Sequence, residues 1–264
     1  MKDITVTITS HIKNYTGNMA GRLLVLGVLP LLLAACNTTK PATTAGATVA
    51  VPLTAPVTPV EAAKPKEEPK TVELSGYEKM YAAVNDNGKI IPAIDVFKVE
   101  KRNLRQEVNY KTSHPVGTVI VDPYKRHLYL VMPNDRAMRY AVGVGRAGLA
   151  FSGTADIARK ASWPRWTPTQ NMIKRNPEHY AKYASGLEGG VSNPLGARAL
   201  YLHRNGQDTL YRIHGTNQPW TVGKAASSGC IRLFNQDILD LHKRVPAGSK
   251  VVVLNQQESG KGEF

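Results

Sequence analysis

The sequence predicts a domain that is mostly β with a few helices, built on a mixed β-sheet and placed behind a long N-terminal stretch that does not fold with it. Two observations predict this class. β-Branched or alternating runs recur between turn formers, at 118–122 (TVIVD), 127–132 (HLYLVM) and 138–145 (MRYAVGVG), with Asp122-Pro123 and Pro133-Asn134-Asp135 between them. By contrast, the one long segment with a clear helical pattern is 235–245 (NQDILDLHKRV), where Ile238, Leu239 and Leu241 share a face. Asp237 and Asp240 near its start and Lys243 and Arg244 at its end match the helix dipole. A composition of 42% hydrophobic and 20% charged residues over 264 positions excludes wholesale disorder and a polytopic membrane protein.

The chain begins with residues 1–35, which read as a signal peptide: Lys2, Lys13 and Arg22 precede an uncharged run at 23–35, which ends in small residues before Cys36. That run is well short of the roughly 20 residues a membrane-spanning helix needs, and Pro30 interrupts it. Leu33-Ala34-Ala35-Cys36 resembles a bacterial lipobox, which implies that Cys36 is the lipidated first residue of the mature chain. Asn37 behind it, by resemblance to Gram-negative lipoproteins, implies the outer membrane. Met19 offers a second start within a long leader. Residues 36–75, rich in Thr, Ala, Pro, Lys and Glu, bury too little apolar surface to offset their conformational entropy and read as a disordered tether. Its lysines and glutamates cancel, so most of the formal +14 belongs to residues 76–264.

Residues 76–115 read as a helical and extended lead-in, with a short helix at 77–84. The strands at 118–145 form an antiparallel meander. Residues 154–182 mix short helical patterns with the proline-punctuated Trp163-Pro164-Arg165-Trp166-Thr167-Pro168. Strands are expected at 197–203 and 209–214, then the helix, a stop at Pro246-Ala247-Gly248, and a buried strand at 250–254. Residues 255–264 read as a flexible tail.

The chemistry concentrates in 211–233, YRIHGTNQPWTVGKAASSGCIRL. A strand ends in His214-Gly215, and a loop returns through Ser227-Ser228-Gly229-Cys230 to Ile231-Arg232. A thiol attacks as its thiolate, so a catalytic Cys230 needs a base to take its proton, and His214 is the candidate. Gly229 permits close backbone approach, and the amides of Ser228, Gly229 and Cys230 form a candidate oxyanion hole. Arg232 can orient a carboxylate or stabilise the thiolate. Trp220 and Tyr211 flank this segment as a candidate substrate wall. Trp163 and Trp166 read as structural.

I-H-G-T-N followed by S-S-G-C-I-R-L resembles the L,D-transpeptidase (YkuD) catalytic family, whose signature is HG, a loop, then S/T-H-G-C-x-R/N. Gly153-Thr154-Ala155, Trp163-Pro164-Arg165-Trp166 with Pro168, and Asn193-Pro194-Leu195-Gly196-Ala197-Arg198 extend the likeness over about residues 116–254. It implies a catalytic domain there, with Cys230 and His214 catalytic and Ser227, Ser228, Gly229, Arg232, Gly215 and Thr216 around the oxyanion and substrate. Ser228 stands where the family usually has a second histidine, which leaves His214 as the base, with His203 on the neighbouring strand as the alternative. The resemblance further implies a peptidoglycan acyl transfer. Cys230 would take the third residue of a stem tetrapeptide, release D-alanine, and pass the acyl group to an amine of a second stem or of an outer-membrane protein. An L,D-carboxypeptidase and an inert peptidoglycan-binding lipoprotein are the other readings.

No cofactor or metal is implied, because two cysteines without paired spacing give no zinc signature. Scattered Lys and Arg without a basic helix or interleaved aromatics do not suit nucleic acid. A lipid anchor is the sole membrane attachment expected. In the NlpC/P60 peptidases Cys precedes His, and in sortases the His and Cys lie much farther apart; neither pattern fits.

Overall fold

The computed structural model describes residues 72–145, 151–225 and 230–264. The leader, Cys36, nearly all of the tether, and Ser227, Ser228 and Gly229 lie outside them. The expected class holds: ten strands form a mixed sheet, with few helices. In chain order the elements are α1 (Leu74–Met80), β1 (Val84–Asp86), β2 (Lys89–Ile91), β3 (Gln106–Asn109), β4 (Val119–Asp122), β5 (His127–Met132), β6 (Arg136–Ala141) and β7 (Gly143–Val144). They continue with β8 (Gly153–Ser162), α2 (Gln170–Arg175), α3 (Pro177–Tyr180), β9 (Arg198–Arg204), β10 (Gln207–His214), β11 (Ile231–Arg232), α4 (Asn235–Arg244) and β12 (Lys250–Val253).

The large sheet runs β3-β6-β5-β4-β12-β8-β9-β10-β11-β7. β4, β5 and β6 form the antiparallel meander that their alternation predicts. β12 joins β4 in parallel, and β11 joins β10 in parallel. β6 and β7 lie near opposite ends of the order yet are separated by Val142 alone, so the sheet curls round on itself. Every residue of β4 is buried. Val119 and Val121 face the main core with Leu128, Leu200, Leu202 and Ile213, while Ile120 faces a second cluster with Tyr110 and Tyr129. Ile238 and Leu241 of α4 enter the main core, as the helical pattern requires.

β8 departs from the expectation of short helices in 154–182, although α2 and α3 do follow it. Its Ala, Arg and Lys are good helix formers, but β12 and β9 pair with it on both sides and override that preference. A register shift between Ile157 and Arg159 breaks the alternation that would have marked a strand. The helix expected at 77–84 lies at Leu74–Met80 and is followed by the hairpin β1–β2, which turns on Asn87-Gly88.

The lead-in docks on α4. Tyr77, Tyr81, Val96 and Leu104 pack with Phe234 and Val222. The Tyr81 hydroxyl donates to Asp237 Oδ2 at 3.0 Å and accepts the Arg105 N–H at 2.7 Å. Asp237 is therefore more than a dipole-matching residue. It is fully buried, and burial pushes its carboxyl up to about 7, with the Arg105 charge opposing.

The flexible tail expected at 255–264 is corrected by the structure, which folds it back onto the sheet. Ser259 Oγ donates to Asp122 Oδ1 at 2.8 Å, and the Gly260 N–H donates to Asp122 Oδ2 at 2.8 Å. Tyr129 donates to Glu263 at 2.7 Å, and Arg139 forms an ion pair with the same carboxylate. Gly262 lies so close to the Tyr110 ring that a Cβ would stand 2.4 Å from Cζ. The driving need is Arg139, 8% exposed, whose buried charge requires a counterion. Deleting residues 259–264 should lower unfolding free energy by about 3–5 kcal/mol in urea titration, the usual consequence of unpairing a buried charge. A loss under about 0.5 kcal/mol would mean that the tail is dispensable.

Candidate active site

β10 and β11 pair with Ile213 opposite Ile231 and His214 opposite Arg232. Side chains alternate along a strand, and both isoleucines lie in the core at 0% and 2% exposure. His214, Arg212 and Arg232 therefore occupy the other face. Cys230, one residue before β11, falls on that face too, level with Arg212, whose backbone hydrogen-bonds it. Adjacent strands lie roughly 4.8 Å apart, and Cys230 is two residues along from the position opposite His214, so the thiol and the imidazole stand on a diagonal of one face, about 8 Å apart backbone to backbone.

His214 is 3% exposed, and its Nδ1 lies 2.5 Å from the Gly215 carbonyl. A carbonyl only accepts, so the ring proton sits on Nδ1 and Nε2 carries the basic lone pair. Burial, reinforced by the charges of Arg232 and Arg212, pushes the imidazole down to about 3 against the backbone contacts of Gly215 and Leu195. Cys230 is half-buried, and its thiol is pushed up by burial, with Arg212 and Arg232 opposing. Both directions favour a thiol and a neutral imidazole at neutral pH.

Gly215 and Thr216 hold the histidine in place. A Cβ on Gly215 would lie 2.2 Å from Asn235 Oδ1, and one on Gly196, at φ +62°, would lie 2.3 Å from the same atom. Asn235 stitches the two turns together: its Oδ1 accepts the Ala197 N–H at 2.9 Å and its Nδ2 donates to the Thr216 carbonyl at 2.9 Å. Buried Thr216 accepts the Gln218 N–H on its own hydroxyl at 3.0 Å. Asn193, fully buried, donates to the carbonyls of Pro164, Leu187 and Glu188 and accepts the Leu195 N–H at 2.8 Å. It thereby fixes the loop beside His214.

Arg232 lies near Cys230 and near Tyr180 of α3. His203 is not placed for catalysis: it lies on β9, opposite Asp208, with β10 between it and β11. Tyr211 packs on the core and against Phe151, so it does not wall the site. Trp220 stands exposed on the loop after β10, lining a groove with Ile94, Val99 and Phe234. Trp166 is structural, packed between Tyr180 and Tyr183, and the Trp163 N–H donates to the Ala197 carbonyl. The roles expected of Ser227, Ser228 and Gly229 fall outside the described residues. No group of three potential metal ligands occurs among the described residues. Asn235 escaped the sequence reading because an Asn at a helix start ordinarily signals only capping.

Residues 117–253 match the YkuD family model, the L,D-transpeptidase catalytic domain, and the chain belongs to that family. It is 33% identical over 141 residues to the probable L,D-transpeptidase ErfK/SrfK of Escherichia coli K12, covering 52% of this chain and 44% of that protein. It is 30% identical over 170 residues to the probable L,D-transpeptidase YbiS of the same organism, covering 62% and 54%. The chain thus spans about half the length of these relatives. A solved Brucella melitensis structure described as a probable carnitine operon oxidoreductase caia is 48% identical, covering 61% of this chain and 99% of that one, with a TM-score of 0.42.

Replacing Asn235 by Ala leaves the Ala197 N–H and the Thr216 carbonyl without their partner, so His214 loses its fixed position. Cys230 acylation should slow by at least about tenfold while stability falls by about 1–3 kcal/mol. Wild-type acylation by Asn235→Ala would show that the bridge does not position the base.

Proposed function

We propose that the chain is a peptidoglycan L,D-transpeptidase with Cys230 as nucleophile and His214 as base. The observation that carries this reading is the β10–β11 register, which sets both side chains on one face with the Nε2 lone pair available. In acylation, Cys230 Sγ attacks the carbonyl of the third stem-peptide residue while Nε2 takes the thiol proton. The carbon–nitrogen bond then breaks, and the same proton goes to the departing D-alanine amine, leaving a thioester. In the second half, an acceptor amine attacks the thioester, gives its proton to Nε2 and displaces the thiol. The neutral resting pair suits this sequence, because no charge has to be buried until the carbonyl oxygen accepts it. The acceptor is a side-chain amine of a second stem or an amine of an outer-membrane protein.

The +14 charge favours an acidic polymer, and peptidoglycan supplies stem carboxylates. Lipidation at Cys36 would hold the enzyme to the outer membrane from the periplasmic side, with the 36–75 tether giving reach to the wall.

Incubating the chain with tetrapeptide muropeptides should yield an acyl-enzyme heavier by the stem without its D-alanine, and then a cross-linked product. Cys230→Ala should yield neither. His214→Ala should lower the acylation rate by about 10²–10⁴, the usual contribution of a positioned acid–base group, with His203→Ala near wild type. In cells, Cys36→Ser should move the protein to the soluble periplasmic fraction. An active Cys230→Ala, or His214→Ala at the wild-type rate, contradicts the assignment; a membrane-bound Cys36→Ser contradicts the anchor.

A further inference from the structure

The solvent face of the sheet carries a row of residues that the catalytic pair does not use. Arg159 on β8 pairs with Tyr201 on β9, Tyr201 pairs with Arg212 on β10, and Arg212 is level with Cys230. Two guanidinium groups converge on one ring: Arg159 Cζ lies 3.5 Å and Arg212 Cζ 4.4 Å from the Tyr201 centroid. The ring attracts each cation, but the cations repel one another, so the arrangement calls for anions. Arg212 has one, since its two Nη atoms each donate to the Asp208 carboxylate at 2.7 Å.

Arg159 has no carboxylate within ion-pair distance among the described residues. Asp156, the acidic residue of its own strand, is paired with Lys250 at 2.7 Å. Arg159 is exposed, while stacking on Tyr201 orients its donors. The adjacent row on the same face is Ala161, Ala199 and His214. From Cys230 to the Tyr201 ring is two strand spacings, about 10 Å, which an extended peptide covers in about three residues. The carboxyl of a leaving residue, one position from the attacked carbonyl, stops short of that distance.

We propose that Arg159, oriented by Tyr201, is a carboxylate-binding subsite for an acidic peptide laid along this row, taking a carboxylate from the acyl-donor side of the attacked carbonyl. The direction of the peptide rests on the acyl-transfer reading of Cys230; the binding does not. For a stem peptide, the group in reach is the free α-carboxylate of its second residue: that residue is joined to the third through its side chain, so the carboxylate stands about seven bonds from the attacked carbon, against about three for the leaving residue's carboxyl.

The test measures binding to the full chain carrying Cys230→Ala, so that no turnover intervenes, using two synthetic stem tetrapeptides whose second-residue carboxylate is free or amidated. Arg159→Gln should weaken the free-carboxylate peptide about tenfold and leave the amidated peptide unchanged, and Arg159→Lys should recover most of the loss. An equal effect on both peptides, or none on the acidic one, overturns the subsite. A wild-type enzyme that forms no acyl-enzyme would overturn the acyl-transfer reading instead, and the binding comparison would still decide the subsite.

Discussion

Two residues of parallel pairing, Ile213 with Ile231 and His214 with Arg232, set where everything else in the site must be. A strand shifted by one residue turns every side chain to the opposite face. Here that shift would bring Ile231 out of the core, at about 1.5–3 kcal/mol for a side chain of its size, and turn Cys230 inward. The hydrophobic core therefore enforces the geometry of a polar site. The supports are arranged around this pairing. α4 follows β11 and packs Ile238 and Leu241 into the same core. Asn235 at its start holds the turns that contain Gly196 and Gly215. The lead-in in turn holds α4 through Tyr81 and Asp237.

Electrostatics then decide the state in which the site waits. Burial raises the Cys230 thiol against the opposing charges of Arg212 and Arg232, and lowers the His214 imidazole together with them. Arg212 and Arg232 act on both in a consistent sense, favouring a thiolate and opposing an imidazolium. In the proposed acyl transfer, the two arginines would stabilise the negative charge that develops as the thiol proton leaves.

Much of this was legible in the sequence. The meander, β9, β10, β12 and α4 were readable because alternation or helical periodicity reports which face is buried. The placement of His214 and Cys230 at paired strand ends was readable because each stands beside a glycine where a β-run meets a loop. What was not legible depended on distant partners. β8 carries helix-forming residues and a break in alternation, and is a strand only because two neighbours pair with it. The tail looked like polar filler until Arg139 and Asp122, more than a hundred positions earlier, supplied its partners. Asn235 and the Arg159–Tyr201–Arg212 row likewise gain meaning only from register across strands far apart in the chain.

Whether Cys230 rests as a thiol, placed by register, or in a preformed ion pair with His214 is read from the pH dependence of iodoacetamide alkylation, followed at the Cys230 peptide by mass spectrometry. A neutral resting pair predicts a rate that rises with pH through a midpoint above the ordinary thiol value, with no plateau near neutrality. A plateau already reached by about pH 7, falling only as a low-pKa thiolate is protonated, would show that Cys230 and His214 rest as thiolate and imidazolium, and would contradict the account.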